Sequence, residues 1–392
     1  MAPRKITEGV FSVGAIDWDR RLFDSLIPLP FGTSYNAYLV QGESKTALLD
    51  AVEPALQKDL FANLDELGVK SIDYVVCHHA EQDHSGSIPA VLERFPGARV
   101  VTNQKCADLL VSHLRIDSSA CDIVADGAVL DLGGKSLQFT FAPWVHWPET
   151  MLSFLREDRI LFTCDFLGSH LATGMLYADD EHSVYLSAKR YYAEIMMPFR
   201  GRYPAYLQKI EAMAPAIIAP SHGPIYRRPA FILDAYKDWT SDHVKNEAVI
   251  GYVSMHGSTK IMVDRLVDRL VGAGVNVKQF DLATVDIGEL AMALVDPATL
   301  VLATPTVLGG PHPAAVYAAY LASAIKPKLR HAAIIGSQGW GGKTVDTLKS
   351  LLAGLKVEML EPLMSKGLPK PEDLAGIDKL AEAIQARHAA LG

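Results

Sequence analysis

The stretch DYVVCHHAEQDHSGS, residues 73–87, places an apolar run directly before a cluster of histidines and acidic residues. The run DYVV is typical of a buried strand, and His79, Glu81, Asp83 and His84 follow it within a short segment. Imidazole and carboxylate groups are common protein ligands of iron, manganese and zinc. The stretch therefore predicts a metal site at the end of a strand.

Three further candidate ligands also stand just past apolar runs. His146 follows SLQFTFAPWV, Asp165 follows RILFTC, and His222 follows AIIAPS. A single histidine or aspartate after a strand is more often a capping or turn residue than a metal ligand. Because the same pattern recurs at four strand ends, we expect one metal site at one edge of a sheet.

After about residue 248, short apolar runs alternate with amphipathic helical segments. The predicted strands are AVIGYVSM, NVKQFDL, TLVLATPT, HAAIIGS and KVEMLEPLM. Five strands that alternate with helices predict a doubly wound parallel sheet. The polar segment FILDAYKDWTSDHVKNE, residues 231–247, is predicted to be a helical connector, which gives two domains, 1–247 and 248–392.

Three loops in the second half have the composition of a phosphate- and cofactor-binding edge. They are SMHGSTK (254–260), TPTVLGG (304–310) and GSQGWGG (336–342). Backbone N–H groups and hydroxyls at a helix N-terminus bind phosphate, although Ser and Thr there also serve as ordinary helix caps. The GGKT sequence at 341–344 is not a P-loop, because Ser337 stands where that motif requires its first glycine.

Composition excludes several other classes of function. The chain carries 37 basic and 45 acidic residues, a net charge of −8, with no basic run interleaved with aromatic residues, so we expect no nucleic-acid partner. No apolar stretch approaches the roughly 20 residues of a membrane span, and the N-terminus lacks a signal-peptide core. We expect a cytoplasmic protein with no membrane partner. The four cysteines form no C-x-x-C pair, which argues against a zinc ribbon or rubredoxin-type iron site.

The spacing His-x-Glu-x-Asp-His, followed by a histidine, an aspartate and a last histidine, resembles the metallo-β-lactamase superfamily. That resemblance implies an N-terminal αββα sandwich with two metals held between two sheets. Glu81 stands where the zinc hydrolases of that superfamily usually carry their second histidine. A carboxylate in place of an imidazole makes the site harder and more anionic, which favours iron or manganese over zinc and redox chemistry over hydrolysis.

The second half resembles flavodoxin, and the two halves together resemble the flavodiiron proteins, or A-type flavoproteins. The resemblance implies two iron ions and an FMN. One iron would take His79, Glu81 and His146, the other Asp83, His84 and His222, with Asp165 bridging. His78 has no such role and is predicted to pack or to donate a hydrogen bond. The residues that would bind FMN are Ser254, His256, Gly257, Ser258, Thr259, Pro305, Thr306, Gly310, Ser337, Gly339, Trp340, Gly341 and Gly342. Trp340 would stack on the flavin ring; its alternative is an ordinary half-buried aromatic residue.

The same resemblance implies the reaction and the partners. The family reduces O2 to water, NO to N2O, or both, and O2 needs four electrons, two from the irons and two from the flavin. His170 and the pair Tyr191 and Tyr192 match stretches near the irons, where they would donate protons or hydrogen bonds. Which tyrosine faces the metals stays open. An external donor, rubredoxin or reduced F420, would supply electrons, and a head-to-tail homodimer would set one subunit's FMN against the other's irons. A dimer of dimers is left open.

Two other interpretations are kept. One is a dinuclear zinc hydrolase of the metallo-β-lactamase type fused to a flavodoxin-like domain, against which Glu81 argues. The other is a flavin electron carrier with a purely structural metal site, for which seven ligand candidates are more than is needed.

Overall fold

A computed structural model describes residues 2–391. The chain forms two compact units. The first runs as far as Tyr192 and resumes over Phe199–Lys237; the second comprises Ala193–Pro198 and the chain from Asp238 onward. The domain boundary after residue 247 remains a prediction. Strands are numbered β1–β23 and helices α1–α12 along the chain.

The first unit contains two sheets. The larger has seven strands, in spatial order β1 (Arg4–Thr7), β2 (Val10–Ser12), β7 (Tyr38–Gln41), β8 (Thr46–Leu49), β9 (Tyr74–Val76), β10 (Arg99–Thr102) and β11 (Cys121–Ile123). The smaller has five, in the order β12 (Val129–Asp131), β13 (Ser136–Phe141), β14 (Met151–Leu155), β15 (Ile160–Cys164) and β16 (Ile217–Pro220). Two short antiparallel pairs join β3 (Ala15–Asp17) to β6 (Thr33–Tyr35) and β4 (Leu22–Phe23) to β5 (Ile27–Pro28).

The two sheets pack face to face through side chains that alternate along their strands. Val40, Leu49 and Val76 from the larger sheet share one buried cluster with Phe139 and Phe162 from the smaller. Because successive strand residues point to opposite faces, Leu48 and Val75 lie on the outer face of the larger sheet. There they pack with residues of the helices that cover it. This is the αββα sandwich expected from the sequence.

Helices and short helical turns connect these strands. They are Pro54–Leu56, α1 (Gln57–Glu66), α2 (Gln82–Ser85), α3 (Ile88–Arg94), α4 (Gln104–Leu114), Ser118–Ala120, α5 (Glu181–Tyr191), a π-turn at Tyr192–Met196, a 3₁₀ stretch at Met197–Arg202, α6 (Tyr203–Met213) and α7 (Pro229–Thr240). Of these, the turns over Ala193–Pro198 and the end of α7 from Asp238 belong to the second unit. The predicted connector helix is α7, which ends at Thr240 instead of residue 247. Its expected last residues begin a strand, because the buried Glu247 carboxylate binds Asn276 Nδ2 at 2.7 Å and Lys278 Nζ at 2.9 Å.

The second unit is a doubly wound sheet with helices. Its central strands lie in the spatial order β18 (Asn276–Asp281), β17 (Lys245–Tyr252), β19 (Pro297–Val307), β21 (His331–Gln338) and β22 (Glu358–Met359), and all of these neighbours are parallel. The order 2-1-3-4-5 is that of flavodoxin-like sheets, in which ligands bind beyond the carboxyl ends of the strands. The helices are α8 (Ser258–Gly272), α9 (Ile287–Ala293), α10 (Pro313–Ile325), α11 (Thr344–Leu352) and α12 (Pro371–Ala389).

The fifth strand differs from the prediction. The segment KVEMLEPLM was expected as one strand, but the structure has two short strands, β22 and β23 (Leu363–Lys366), both paired with β21. Pro362 lies in the interruption and has no N–H to donate to the ladder, which explains the break. A further short strand, β20 (Gly310–Pro311), folds back on β19. Among the described residues, no helix combines the length and apolar character needed to cross a membrane.

The inter-sheet cluster predicts which substitutions destabilise the first unit. Phe139 is fully buried there, so Phe139→Ala removes its packing and leaves a cavity, at an expected cost of about 3–5 kcal/mol in the free energy of unfolding. Phe31→Ala is the matched control, because that ring is 60% exposed and its loss should change stability by about 0.5 kcal/mol or less. Urea unfolding followed by circular dichroism measures both. Equal effects of the two substitutions would contradict the packed inter-sheet core.

Candidate metal centre

The seven predicted ligands converge in two adjacent groups at one edge of the sandwich. The first group is His79, Glu81, His146 and Asp165; the second is Asp83, His84 and His222. Within each group, one ligand atom per residue lies within 4.8 Å of every other. The residues follow β9, β13, β15 and β16, so the strand-end pattern predicted their convergence.

Asp165 lies between the groups and turns one carboxylate oxygen toward each. Its Oδ2 is 3.5 Å from His79 Nε2 and 3.6 Å from His146 Nε2. Its Oδ1 is 3.0 Å from His84 Nε2 and 3.3 Å from His222 Nε2. A carboxylate placed in this way is able to bridge two cations, one in each group.

Glu81 occupies the middle of the first group. Its Oε2 is 3.0 Å from both His79 Nε2 and His146 Nε2. The second group has the equivalent arrangement around Asp83, whose two oxygens lie 3.4 Å from His84 Nε2 and 3.2 Å from His222 Nε2. Each group therefore combines two imidazoles with a carboxylate of its own.

Burial and mutual charge control the protonation of this cluster. Burial opposes ionisation of Asp165, yet His84 and His222 hold the pKa of its carboxyl well below the usual value. Burial likewise opposes charge on His222, but Asp165 and Asp83 raise the pKa of its imidazole to about 10. The imidazoles of His79, His84 and His222, whose pKa values are raised, balance the charge of Glu81 and Asp165, whose pKa values are lowered. A bound cation would displace the imidazolium protons and take over their neutralising role.

Two contacts orient the histidines from behind, and neither partner was predicted. His79 Nδ1 donates to Glu149 Oε1 at 2.6 Å, and His222 Nδ1 donates to the Ser34 carbonyl at 2.7 Å. Each contact leaves Nε2 directed at the carboxylates. Glu149 follows His146 by three positions in the same loop, which is the only sequence signal for it. Nothing local in the sequence connects Ser34 with His222.

His78 holds the two sheets together beside the centre. Its Nδ1 lies 2.7 Å from Asp50 Oδ2 and its Nε2 lies 2.8 Å from Ser153 Oγ, on β14 of the opposite sheet. The backbone N–H of His78 also donates to Asp50 Oδ1 at 2.8 Å. Its contacts match the hydrogen-bonding role predicted for it.

The three predicted catalytic residues differ in position. Tyr191 donates from its hydroxyl to Asp165 Oδ1 at 3.0 Å, and its ring packs edge-on against His170 at 4.8 Å between centroids. His170 also lies 4.9 Å from the His222 ring, and its Nδ1 is 2.8 Å from the Thr33 hydroxyl. The Tyr192 ring instead packs against Tyr236. The open choice between the two tyrosines therefore falls to Tyr191 as the one in contact with a predicted ligand.

The hairpin formed by β4 and β5 lies beside His170 and His222, a position that the sequence analysis did not predict. Phe23 is only 5% exposed, although its neighbours Leu22 and Asp24 are exposed. Its ring contacts the imidazoles of His170, at 5.2 Å, and His222, at 6.4 Å. Phe23 therefore forms an apolar wall next to the second ligand group.

In the second unit, the three predicted loops meet beyond the carboxyl ends of β17, β19 and β21. Thr259 Oγ1 lies 3.1 Å from Ser337 Oγ, which joins the first loop to the third. Lys343, directly after the third loop, donates from its backbone N–H to the Gly309 carbonyl at 2.8 Å, which connects the end of that loop to the second loop. Pro305 is in register with Ser337 on the paired strand. The loops thus form one edge.

The first loop leads directly into α8. Gly257 has a φ of +88°, a conformation that favours glycine, and Ser258 begins the helix. Ser254 Oγ accepts a hydrogen bond from Lys260 N at 3.2 Å. His256 stands exposed on this loop. The N-terminus of a helix, with its first N–H groups, is the kind of place where proteins bind anions.

The remaining predicted residues of this edge lie on the second and third loops. Thr306 Oγ1 is 2.7 Å from Thr344 Oγ1, and Gly310 forms the short strand that folds back on β19. A Cβ on Gly342 would stand 2.7 Å from Thr306 Cγ2, whereas Cβ atoms on Gly339 and Gly341 would meet nothing within 4 Å. Trp340 is 94% exposed, so the alternative of a half-buried aromatic residue is wrong.

The contact between Glu149 and His79 predicts how metal affinity responds to a change outside the ligand set. Glu149→Ala removes the acceptor that orients His79, and we expect the affinity for Fe(II) to fall about 10–100-fold. Glu157→Ala is the matched control, because Glu157 is exposed and binds Ser136 instead of a predicted ligand. Competition with a coloured chelator measures both. Unchanged affinity in Glu149→Ala would show that His79 is positioned by its packing alone.

The chain is similar in sequence to a family of lactamase-like domains and to several proteins of known function. Residues 33–223 match a family model described as ODP family beta lactamase. The chain is 35% identical to a nitric oxide reductase of Moorella thermoacetica, over 99% of both proteins. It is 32% identical to a coenzyme F420H2 oxidase of Methanothermobacter marburgensis, over 90% of both.

Solved structures extend the likeness to the whole fold. The structure of rubredoxin oxygen:oxidoreductase from Desulfovibrio gigas superposes with a TM-score of 0.95 at 28% identity, over 99% of each chain. Both units are included in that match, so the combination of a lactamase-like sandwich with a flavodoxin-like sheet is shared. The chain belongs to the flavodiiron protein family, also known as the type A flavoproteins.

Proposed function

We propose that this protein is a flavodiiron oxidoreductase that reduces O2 to water, NO to N2O, or both, at two iron ions fed with electrons through FMN. The observation that carries the proposal is the position of Asp165, with one carboxylate oxygen directed at each of two ligand groups. The named activities of the relatives, nitric oxide reductase and F420H2 oxidase, support it.

The residues of the first unit fit a pair of iron ions. Both oxygens of Asp83, Nε2 of His84 and Oδ2 of Asp165 are buried, and their contacts with the neighbouring ligands do not have hydrogen-bond geometry. Bound cations would satisfy these atoms. Four imidazoles and three carboxylates form a donor set of the kind that binds iron. Two adjacent iron ions would supply electrons and open coordination positions for O2 or NO.

The ligand assignment follows the two groups. His79, Glu81 and His146 would hold one iron, and Asp83, His84 and His222 the other, with Asp165 shared. The distances of about 3 Å between Glu81 and its two histidines are those of a cluster held by hydrogen bonds, and the same atoms would turn to a common cation. No hydrolase is favoured, because the relatives named above are oxidoreductases.

Other side chains of this unit would serve the reaction without binding iron. Tyr191 holds Asp165 in place through its hydroxyl, which also keeps a proton next to the centre. His170 has a buried Nε2 without a hydrogen-bond partner, on a ring that packs against that of His222, and this atom would be available for a hydrogen bond in the reaction. Phe23 excludes water from this side. For Tyr192 we propose only a supporting role, since its ring packs against Tyr236.

The loops of the second unit fit FMN. The start of α8, with Ser254, His256, Gly257, Ser258 and Thr259, would hold the phosphate, because N–H groups and hydroxyls meet there. Pro305, Thr306 and Gly310 on one side, and the loop from Ser337 to Gly342 on the other, would flank the ring system. The exposed indole of Trp340 is free to stack on it. Bound FMN would relay electrons singly or in pairs between a donor and the irons.

We also propose a head-to-tail homodimer and an external electron donor. Leu22, Leu26 and Phe31 expose apolar side chains in the first unit, and Leu308 and Trp340 do so in the second. Exposed apolar side chains beside both sites are typical of surfaces covered in an assembly. Rubredoxin or reduced F420, which appear in the names of two relatives, are the proposed donors. A cytoplasmic location is part of the same proposal.

Gas consumption tests the function. The purified protein, loaded with iron and FMN, is photoreduced without oxygen and then supplied with O2 or NO in separate vessels. We expect the reduced protein to consume at least one gas, in an amount set by its stored electrons, with water or N2O as the product. Full reduction of the protein without consumption of either gas would leave it as an electron carrier with a structural metal site. Two bound zinc ions with thioester or lactam hydrolysis would support a hydrolase.

Glu81→His sharpens this test. This substitution replaces a carboxylate ligand of the first group with an imidazole, which is a softer ligand, so zinc should compete better with iron for the site. Gas consumption should therefore fall at least about tenfold. Glu157→His, at an exposed position, is the matched control. Full activity with iron in Glu81→His would contradict the role given to this carboxylate.

The flavin loops predict a contrast between two glycines of one loop. Gly342→Ala places a methyl group 2.7 Å from Thr306 Cγ2 and 2.8 Å from the Gly309 carbonyl, so the second and third loops must separate. Gly339→Ala adds the same methyl group in open space. We expect FMN affinity to fall at least about tenfold in Gly342→Ala and to change little in Gly339→Ala, because fixed loop geometry sets ligand affinity. Fluorescence titration of the FMN-free protein measures both, and equal affinities would place the flavin elsewhere.

A further inference from the structure

Two thiols lie in contact behind the metal centre and have no part in the proposed reaction. Cys77 follows β9, and Cys106 lies in the first turn of α4. Their Sγ atoms are 3.7 Å apart, and both side chains are fully buried. The other two cysteines differ: Cys121 is half-buried, and Cys164 is buried next to Asp165.

Each cysteine of this pair is connected to His79 through hydrogen bonds, Cys77 by its thiol and Cys106 by its backbone N–H. The Cys77 thiol donates to the His79 carbonyl at 3.1 Å. On the other side, Asn103 caps α4 by accepting from Cys106 N at 3.1 Å, and its Nδ2 donates to the Glu149 carbonyl at 2.6 Å. Glu149 in turn accepts from His79 Nδ1. A change in the distance between the two sulfurs would therefore affect two contacts of His79, one at its backbone carbonyl and one at Nδ1 through Glu149.

We propose that Cys77 and Cys106 are a peroxide-reactive pair that forms a reversible disulfide and thereby alters the hold on His79. One sulfur attacks hydrogen peroxide, the O–O bond breaks, and a sulfenic acid and water form. The second thiol then displaces water as the S–S bond forms. In total, two thiols and one peroxide give one disulfide and two waters. The two electrons come from sulfur, and both thiol protons end in water.

The positions of the two sulfurs allow a Cys77–Cys106 disulfide, and its formation would change the contacts of His79. A disulfide requires an S–S distance of about 2.05 Å, so the sulfurs must approach each other by roughly 1.6 Å. That movement removes the thiol donor from the His79 carbonyl and draws the end of β9 toward α4. Because both sulfurs are buried, only a small neutral oxidant reaches them, and the reaction is slower than at an exposed thiol.

Mass spectrometry of the peroxide-treated full-length protein tests the bond. The reduced, iron-loaded protein is exposed to hydrogen peroxide, alkylated under denaturing conditions and digested. We expect a Cys77–Cys106 cross-link, a mass loss of about 2 Da that dithiothreitol reverses, and loss of two of the four alkylatable thiols. Four intact thiols, a cross-link to Cys121, or irreversible oxidation of single cysteines would overturn the proposal.

Variants separate the pair from the other thiols and from the proposed activity. Cys106→Ala and Cys77→Ala should each abolish the reversible mass loss, whereas Cys121→Ala should leave it unchanged. The second measurement is the rate at which iron is lost to a chelator, after removal of peroxide. It should rise several-fold in the oxidised wild type, return with dithiothreitol, and not respond in Cys106→Ala. An unchanged rate in a cross-linked protein would contradict the link to His79. Neither measurement depends on consumption of O2 or NO.

Discussion

The metal centre of the first unit is stable only because its buried carboxylates and imidazoles neutralise one another's charge. Seven ionisable ligand side chains lie at one edge of the sandwich, and five of them, all but Glu81 and His146, are buried. Burial opposes the charged forms of Asp165, His79 and His84. Asp165 is the residue on which both halves of the cluster depend, since each of its oxygens contacts imidazoles of a different group. Removal of one partner from such a cluster leaves an uncompensated buried charge. In the proposed iron-loaded protein, the positive charge of the metal ions would neutralise the carboxylates in place of the imidazolium protons.

The fold supplies this arrangement through strand ends. β9, β15 and β16 and the loop after β13 each deliver ligands to the same edge, and the inter-sheet core fixes the distance between the two sheets. Contacts from behind the ligands then set the direction of each imidazole: Glu149 for His79 and Ser34 for His222. Strand ends also place the proposed FMN site of the second unit, because its three loops meet beyond the carboxyl ends of parallel strands.

Much of this could be predicted from the sequence, since strand ends, ligand types and loop composition are local signals. The candidate ligands, the doubly wound parallel sheet and the three cofactor loops follow from such patterns, whereas the αββα sandwich was implied by the resemblance to the metallo-β-lactamase superfamily. The contacts of Ser34 and Phe23 could not, because each meets its histidine through long-range packing that leaves no local pattern. The end of α7 at Thr240 shows the same limit, because the polar segment after it takes its structure from the strand beside it. The interruption at Pro362 is different, because a proline without an N–H is a local signal that the predicted single strand did not take into account.

The central claim is that Asp165 joins two irons in one centre. The most direct measurement is Mössbauer spectroscopy of the protein loaded with ⁵⁷Fe, combined with iron analysis. We predict two irons per chain whose spins are coupled, with the coupling lost or the second iron absent in Asp165→Asn. One iron per chain, or two irons that are magnetically independent in the wild type, would contradict the account.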